Sequence, residues 1–128
     1  MDPAFSSEVG VYRGRFAPSP SGPLHFGSLI AAVGSYLDAK AHGGKWLVRI
    51  EDIDTPRVVK GASDTILHTL NAFGLHWDEA VAYQSQRLDL YQHTLNQLIK
   101  NNQVYACTCT RKEIKNQGGI YLNSCKNA

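Results

Sequence analysis

At 128 residues the chain suits one compact domain with a real core, since domains commonly run ~100 to 150 residues, and a second full domain is not expected. A composition 43% hydrophobic and 19% charged excludes disordered and collagen-like classes. Thirteen Lys and Arg against eleven Asp and Glu leave +2, too little to signal nucleic-acid binding from charge alone, and no apolar run approaches the roughly 18 to 20 residues of a membrane span.

Met1 to Gly10 (residues 1–10, MDPAFSSEVG) is small, polar and aperiodic, and reads as a disordered lead-in or tag outside the fold. It lacks the basic and apolar regions of a signal peptide, so the expected location is cytoplasmic, with no membrane partner. Val11 to Phe16 reads as a short strand, ended by Pro18, Pro20, Gly22 and Pro23, because proline cannot continue a central ladder. From Leu24 to about Ala41 the residues Leu24, Leu29, Ala32, Val33, Tyr36 and Leu37 recur at helical spacing, and Gly43-Gly44 closes the segment. Lys45 to Ile50 (KWLVRI) is a β-rich run that opens into the acidic stretch EDIDTPR.

Strand, loop, helix, strand is a βαβ unit, which predicts a parallel, right-handed crossover in an α/β sheet of the doubly wound, Rossmann type. A second helix is predicted over Ala62 to Phe73, stopped by Gly74. A third runs from about Gln86 to Asn101, with Leu88, Tyr91, Leu95, Leu98 and Ile99 on one face and Ser85 as N-cap. Val104 to Cys107 reads as a brief strand, and Thr110 caps a last short helix before Gly118-Gly119. Trp46, Trp77, Phe73, Tyr36 and Tyr91 lie in apolar periodic stretches and are expected in the core. His42, His68, His76 and His93 show no ligand spacing.

The first strand-to-helix loop, Arg15 to Ser28 (RFAPSPSGPLHFGS), lies where helix N-terminal amides and the macrodipole favour phosphate. Gly22 and Gly27 let backbone approach a nucleotide, and the prolines restrict the loop. His25, at the helix start, can donate to a phosphate oxygen as charge builds. A proline-rich turn with a surface histidine is the bland reading of the same residues. Arg15 and Glu51 fit amino-acid recognition, a guanidinium gripping a carboxylate and a carboxylate holding an ammonium; solvated surface charge is the alternative. Asp52 and Asp54 read as ordering their loop.

PSPSG-x-LH-x-G resembles the first motif of the class I aminoacyl-tRNA synthetases in its glutamate-type form, with Phe26 and Ser28 replacing the second and fourth places of the HIGH pattern. Arg49 to Arg57 (RIEDIDTPR) is similar to the RIEDTD-type stretch of glutamyl-tRNA synthetases, and RFAPS to their glutamate-binding strand end. The resemblance implies a glutamate pocket of Arg15, Phe16, Ala17, Pro18, Ser19 and Glu51. It implies an ATP site of Pro18, Ser19, Gly22, His25, Gly27 and Ser28, with His25 catalytic. ATP with Mg2+ and L-glutamate are then substrates.

Cys107, Cys109 and Cys125 are an odd count, and the C-x-C pair is poorly placed for a mutual disulfide, so metal ligation competes with a buried structural role. The glutamyl-queuosine branch of the family carries a comparable C-x-C, Tyr, Cys arrangement. The resemblance therefore implies one structural Zn2+ on Cys107, Cys109, Tyr121 and Cys125, in a small segment at residues 106–128 following the N-terminal half of a Rossmann-type catalytic domain at 11–105. Ordinary glutamyl-tRNA synthetases with zinc here use a spacing ending in C-x-H. The branch implies glutamate transfer to tRNA(Asp) carrying queuosine.

Three other readings stand beside it. These are a fragment of an ordinary glutamyl-tRNA synthetase, a non-catalytic zinc-containing module or inactive remnant, and a small-molecule nucleotidyltransferase, which accounts for neither RFAPS, RIED nor the cysteines. No KMSKS-like lysine loop is found, so this chain is expected to be a truncated form with weak catalysis at best. A half Rossmann sheet is also expected to leave an open edge for self-association.

Overall fold

A computed structural model describes residues 10–126, so the expected lead-in falls almost wholly outside the described residues. The chain divides into two compact units, one ending at Arg87 and one beginning at Leu88. The first holds strand β1 (Arg13–Phe16), helix α1 (Phe26–Ala41), strand β2 (Lys45–Ile50), helix α2 (Ala62–Ala72) and the two-residue strand β3 (Ala82–Tyr83). Its three strands lie in the order β1-β2-β3, both pairs parallel, with Arg13 opposite Lys45, Phe16 opposite Val48 and Ile50 opposite Tyr83. The parallel βαβ unit expected from the element order is present.

Alternation along the strands sets the layers. Gly14, Phe16, Trp46, Val48 and Ile50 are buried, while Arg13, Arg15, Lys45, Leu47 and Arg49 take the opposite face. Onto the buried face pack Ala32 and Ala39 of α1 and Ile66 and Leu70 of α2. A Cβ on Gly14 would stand 2.8 Å from that of Ala39, so the missing side chain sets how closely α1 approaches β1. Trp46 is fully buried, edge-on to Tyr36 at 5.3 Å, with its indole N–H donated to Ser35 Oγ at 2.9 Å.

Both helix ends are closed by the same device. Gly43 (φ 61°) and Gly74 (φ 72°) take the left-handed conformation, and the next amides, of Gly44 and Leu75, return to Ala39 O and Leu70 O at 2.9 Å. The turn at Gly74 carries Leu75 into the core and leaves Phe73 outside at 62% exposure, contrary to its expected burial. Leu37 of α1 is exposed too, because the buried stripe runs through Ala32 and Ala39.

The loops flanking β2 are tied to their neighbours. Glu51 N donates to Pro18 O at 3.0 Å and Val59 N to Pro20 O at 2.9 Å. Asp52 accepts the Ser85 amide at 2.9 Å and hydroxyl at 2.6 Å, and Asp54 pairs with Arg57 at 2.7 Å. Asp52 and Asp54 therefore order the loop as expected. Ser85 spends its hydroxyl on Asp52 inside a short 3-10 turn (Gln84–Arg87) and does not cap the following helix.

The second unit contains α3 (Leu88–Lys100) and α4 (Arg111–Asn116). The expected apolar face of α3 is largely uncovered: Leu88, Leu95 and Ile99 are exposed, Tyr91 and Leu98 half-buried. Periodicity identifies an apolar face but not what covers it. Val104 to Cys107 is not a strand, since no strand among the described residues pairs with it. Thr110 does cap α4, and Glu113 completes a reciprocal capping box. Among the described residues no helix is long and apolar enough to cross a membrane.

Candidate functional site

The chemistry-bearing loop leaves β1 at Phe16 and enters α1 at Phe26. An open groove of about 320 Å³ runs along it, lined by Phe16, Ala17, Pro18, Ser19, Gly22, His25 and Ser28 together with Ser21, Pro23, Leu24 and Ala31. His25 is the N-cap of α1. Its Nδ1 accepts the Ser28 amide at 3.2 Å, and its Nε2 lies 3.0 Å from Ser28 Oγ. Gly27 leaves room beside it, since a Cβ there would sit a tight 3.1 Å from the imidazole Cε1. The exposed imidazole thus lines a concave surface at the N-terminus of α1, an arrangement suited to an anion.

A second hollow of about 160 Å³ adjoins the first, lined by Ser19, Pro20, Ser21, Glu51, Asp54, Arg57 and Val58. Ser19 and Ser21 line both. Glu51, just past the end of β2, accepts from Arg49 Nη2 at 2.5 Å, and Arg49 Nε is buried with no hydrogen-bond partner. Burial pushes the Asp52 carboxyl up, but the Ser85 hydroxyl and amide outweigh it, and the group lies below its ordinary value.

The sequence-derived residues are therefore brought together unevenly. Phe16 to Ser19, Gly22, His25 and Ser28 share one groove, and Glu51 lines its neighbour. Arg15 lines neither hollow; it is exposed on the sheet face opposite the core, the face that also carries Arg49. Gly27 stands behind the imidazole without lining the groove. Ser21 and Arg57 were not singled out from sequence. Ser21 sits between Pro20 and Gly22 and looks like turn filler, and Arg57 looks like a solvated charge.

In the second unit the Sγ atoms of Cys107, Cys109 and Cys125 all lie within 4.8 Å of one another, with Cys109 and Cys125 at 3.5 Å. Tetrahedral zinc with bonds of ~2.3 Å sets its sulfurs about 3.8 Å apart, so the spacing suits such an ion. The Tyr121 hydroxyl accepts the Cys125 amide at 2.9 Å, which sets its oxygen against the same turn. The Thr108 amide, then the Cys109 thiol and the Tyr121 hydroxyl, pull the Cys125 thiol down to about 6, making it the readiest thiolate. Despite a favourable bond from Ser124, Cys109 is raised, chiefly by Cys125 and burial. Burial raises the Tyr121 phenol, a bias that a bound cation would reverse. The cysteine cluster can hold a metal, and three soft sulfurs favour zinc.

A Glutamyl-Q tRNA(Asp) synthetase from Idiomarina loihiensis is 62% identical over 117 residues, which are 91% of this chain and 41% of that protein. One from Shewanella oneidensis is 61% identical over 119 residues, 93% of this chain and 40% of that protein. The chain thus spans about two-fifths of the length of these relatives. Among solved structures, a glutamate tRNA ligase from Elizabethkingia meningosepticum, described in complex with its amino acid, matches at a TM-score of 0.69 and 39% identity, over 82% of this chain and 22% of that one. The family described as tRNA synthetases class I (E and Q), catalytic domain, matches residues 11–126, so the chain belongs to that family of class I synthetases and its parallel α/β sheet is part of their catalytic domain.

Proposed function

We propose that the protein of which these 128 residues form part activates L-glutamate with ATP and Mg2+, then esterifies it to a hydroxyl of the queuosine base of tRNA(Asp) in the cytoplasm. The observation that carries the reading is the β1–α1 junction, where the groove running from Phe16 to Ser28 meets a helix N-terminus capped by His25. Relatives about 60% identical bear the name of that activity, which favours queuosine over the terminal adenosine of tRNA(Glu) as acceptor.

In the first step an oxygen of the glutamate α-carboxylate attacks the α-phosphorus of ATP, and pyrophosphate leaves. In the second, a queuosine hydroxyl attacks the acyl carbon, and AMP leaves. Positioning and charge stabilisation supply most of the rate. Pro18, Ser19, Gly22, Gly27 and Ser28 shape the ATP side, and His25 donates to a phosphoryl oxygen. Arg15, Phe16, Ala17, Pro18, Ser19 and Glu51 form the glutamate side. Arg15 has no partner among the described residues, which leaves its fork free for the side-chain carboxylate. Glu51 exchanges Arg49 for the substrate ammonium.

Cys107, Cys109, Cys125 and Tyr121 hold one structural Zn2+, which closes the 106–128 segment. This reading is supported by the sulfur spacing and by the phenol oxygen held against Cys125. The outer edge of β1, unpaired among the described residues, is a further surface for self-association unless later chain covers it.

The test offers the complete gene product labelled glutamate and ATP with tRNA(Asp), with and without queuosine, and separately with tRNA(Glu). Label confined to queuosine-bearing tRNA(Asp) is the expected result. Label on tRNA(Glu) alone would make it a translation synthetase, and label on neither would overturn the transfer reading.

A further inference from the structure

We infer that Ser28 is a positioning residue for His25, holding the imidazole in one tautomer with its single N–H presented at the groove wall. The inference rests on the adenylation reading above. Two contacts carry it. The Ser28 amide donates to Nδ1 at 3.2 Å, and Ser28 Oγ lies 3.0 Å from Nε2. An amide can only donate, so Nδ1 carries the lone pair, and in the uncharged ring the proton is on Nε2. That proton is donated to the serine hydroxyl.

One residue thus engages both ring nitrogens, and the bare Gly27 lets the ring edge lie against the helix, since a Cβ would stand 3.1 Å from Cε1 and 3.2 Å from Nδ1. With its Nδ1 lone pair committed to the helix cap, His25 is a hydrogen-bond donor at this site and not a general base. His25 and Ser28 both line the groove. Ser28 Oγ is therefore an acceptor that an incoming phosphoryl oxygen replaces, and the imidazole meets substrate already in its donor form. At the sequence level Ser28 stands where the pattern has a second histidine, whose contact is either missing or replaced by a hydroxyl. In the structure its hydroxyl serves the first histidine.

The test combines two measurements. Nitrogen-15 NMR of the histidine rings of this chain, with His25 assigned by its absence in His25→Ala, reads the tautomer. Glutamate-dependent ATP–pyrophosphate exchange by the complete gene product, for wild type, Ser28→Ala and Ser28→Thr, reads the consequence. The expected ring is the Nε2–H form in wild type, with a proton that exchanges more slowly than in Ser28→Ala, where the amide contact to Nδ1 survives. The kcat of pyrophosphate exchange falls about tenfold in Ser28→Ala, more than KM for ATP rises, and Ser28→Thr keeps the wild-type kcat. Circular dichroism of each variant confirms the fold.

An Nδ1–H ring in wild type, or Ser28→Ala with unaltered proton exchange and kcat, overturns the inference. Absence of exchange activity in wild type overturns the adenylation reading instead, and the NMR arm still decides the role of Ser28 toward the ring.

Discussion

Trp46 is the largest fully buried side chain, and its one polar atom, the indole N–H, is satisfied by Ser35 Oγ, which itself donates to Ala32 O at 3.0 Å. Removing that acceptor strands a buried donor. Ser35→Ala is expected to cost about 1 to 3 kcal/mol in urea unfolding. Gly44 is constrained differently. A Cβ there would fall 2.2 Å from the Tyr12 carbonyl oxygen, which is backbone and cannot swing aside. Gly44→Ala should destabilise by about 1 to 3 kcal/mol, as overpacking does, visible as a lower midpoint with unchanged slope. On the active side, Arg49 pairs with Glu51, and its Nε is buried without a partner. Arg49→Lys keeps the charge but loses the planar fork, so KM for glutamate should rise severalfold in pyrophosphate exchange while KM for ATP stays. An unchanged glutamate KM would separate Arg49 from the amino-acid side.

Among the elements, the zinc-binding reading of the second unit makes the clearest prediction. If the ion closes the turn from Cys107 to Cys125, chelation should raise hydrogen exchange across residues 106–126 while amides of β1, β2 and α1 stay protected. Cys125→Ser should give the same pattern and a chain that binds less than one zinc by elemental analysis; full retention of zinc would exclude Cys125 as ligand. The elements also differ in how far the sequence revealed them. β2 was legible because burial alternates along all six of its residues, α1 because its apolar spacing and closing glycines marked a helix even though Leu37 proved exposed, and α4 because Thr110 and Glu113 form a cap whose spacing is itself the signal. β3 is two residues long, too short for alternation to register, and exists only through pairing with β2. Val104 to Cys107 had strand-like composition and no partner. The apolar spacing of α3 is real, but burial depends on neighbours that periodicity does not name. Of the candidate site, the loop from Phe16 to Ser28 was legible through its prolines, glycines and histidine. Ser21 and Arg57 were not, since nothing local marks a serine or an arginine that lines a hollow only after folding.

Across the first unit, one set of ion pairs gathers at the start of the strands. Glu79 receives Arg13 through both oxygens at 2.8 and 2.7 Å and Lys45 at 3.3 Å, and Asp78 binds Lys40 and the Trp46 amide, each at 2.8 Å. Arg13 foremost holds the Glu79 carboxyl below its ordinary range, and Lys40 does the same for Asp78. A carboxyl depressed in the folded state adds stability that is fully present above its unfolded value, near ~4, and lost as pH falls through the folded one. The melting temperature should therefore be level from about pH 7 to 5 and fall below about pH 4, with a shallower fall in Asp78→Asn. Equal slopes in the two proteins would show that the clasp does not contribute.

The two backbone bonds from Glu51 to Pro18 and from Val59 to Pro20 fix more than the position of a loop. They anchor one stretch of chain to another at two points eight residues apart on one side and two on the other, so both spacings are counted by the fold. A side chain in between that makes no bond, such as the exposed Ile53, can be exchanged while the anchors hold. Adding or deleting a single residue shifts one donor off its carbonyl and unseats the rim shared by both hollows. The stretch thus tolerates exchange at such positions more readily than any change of length.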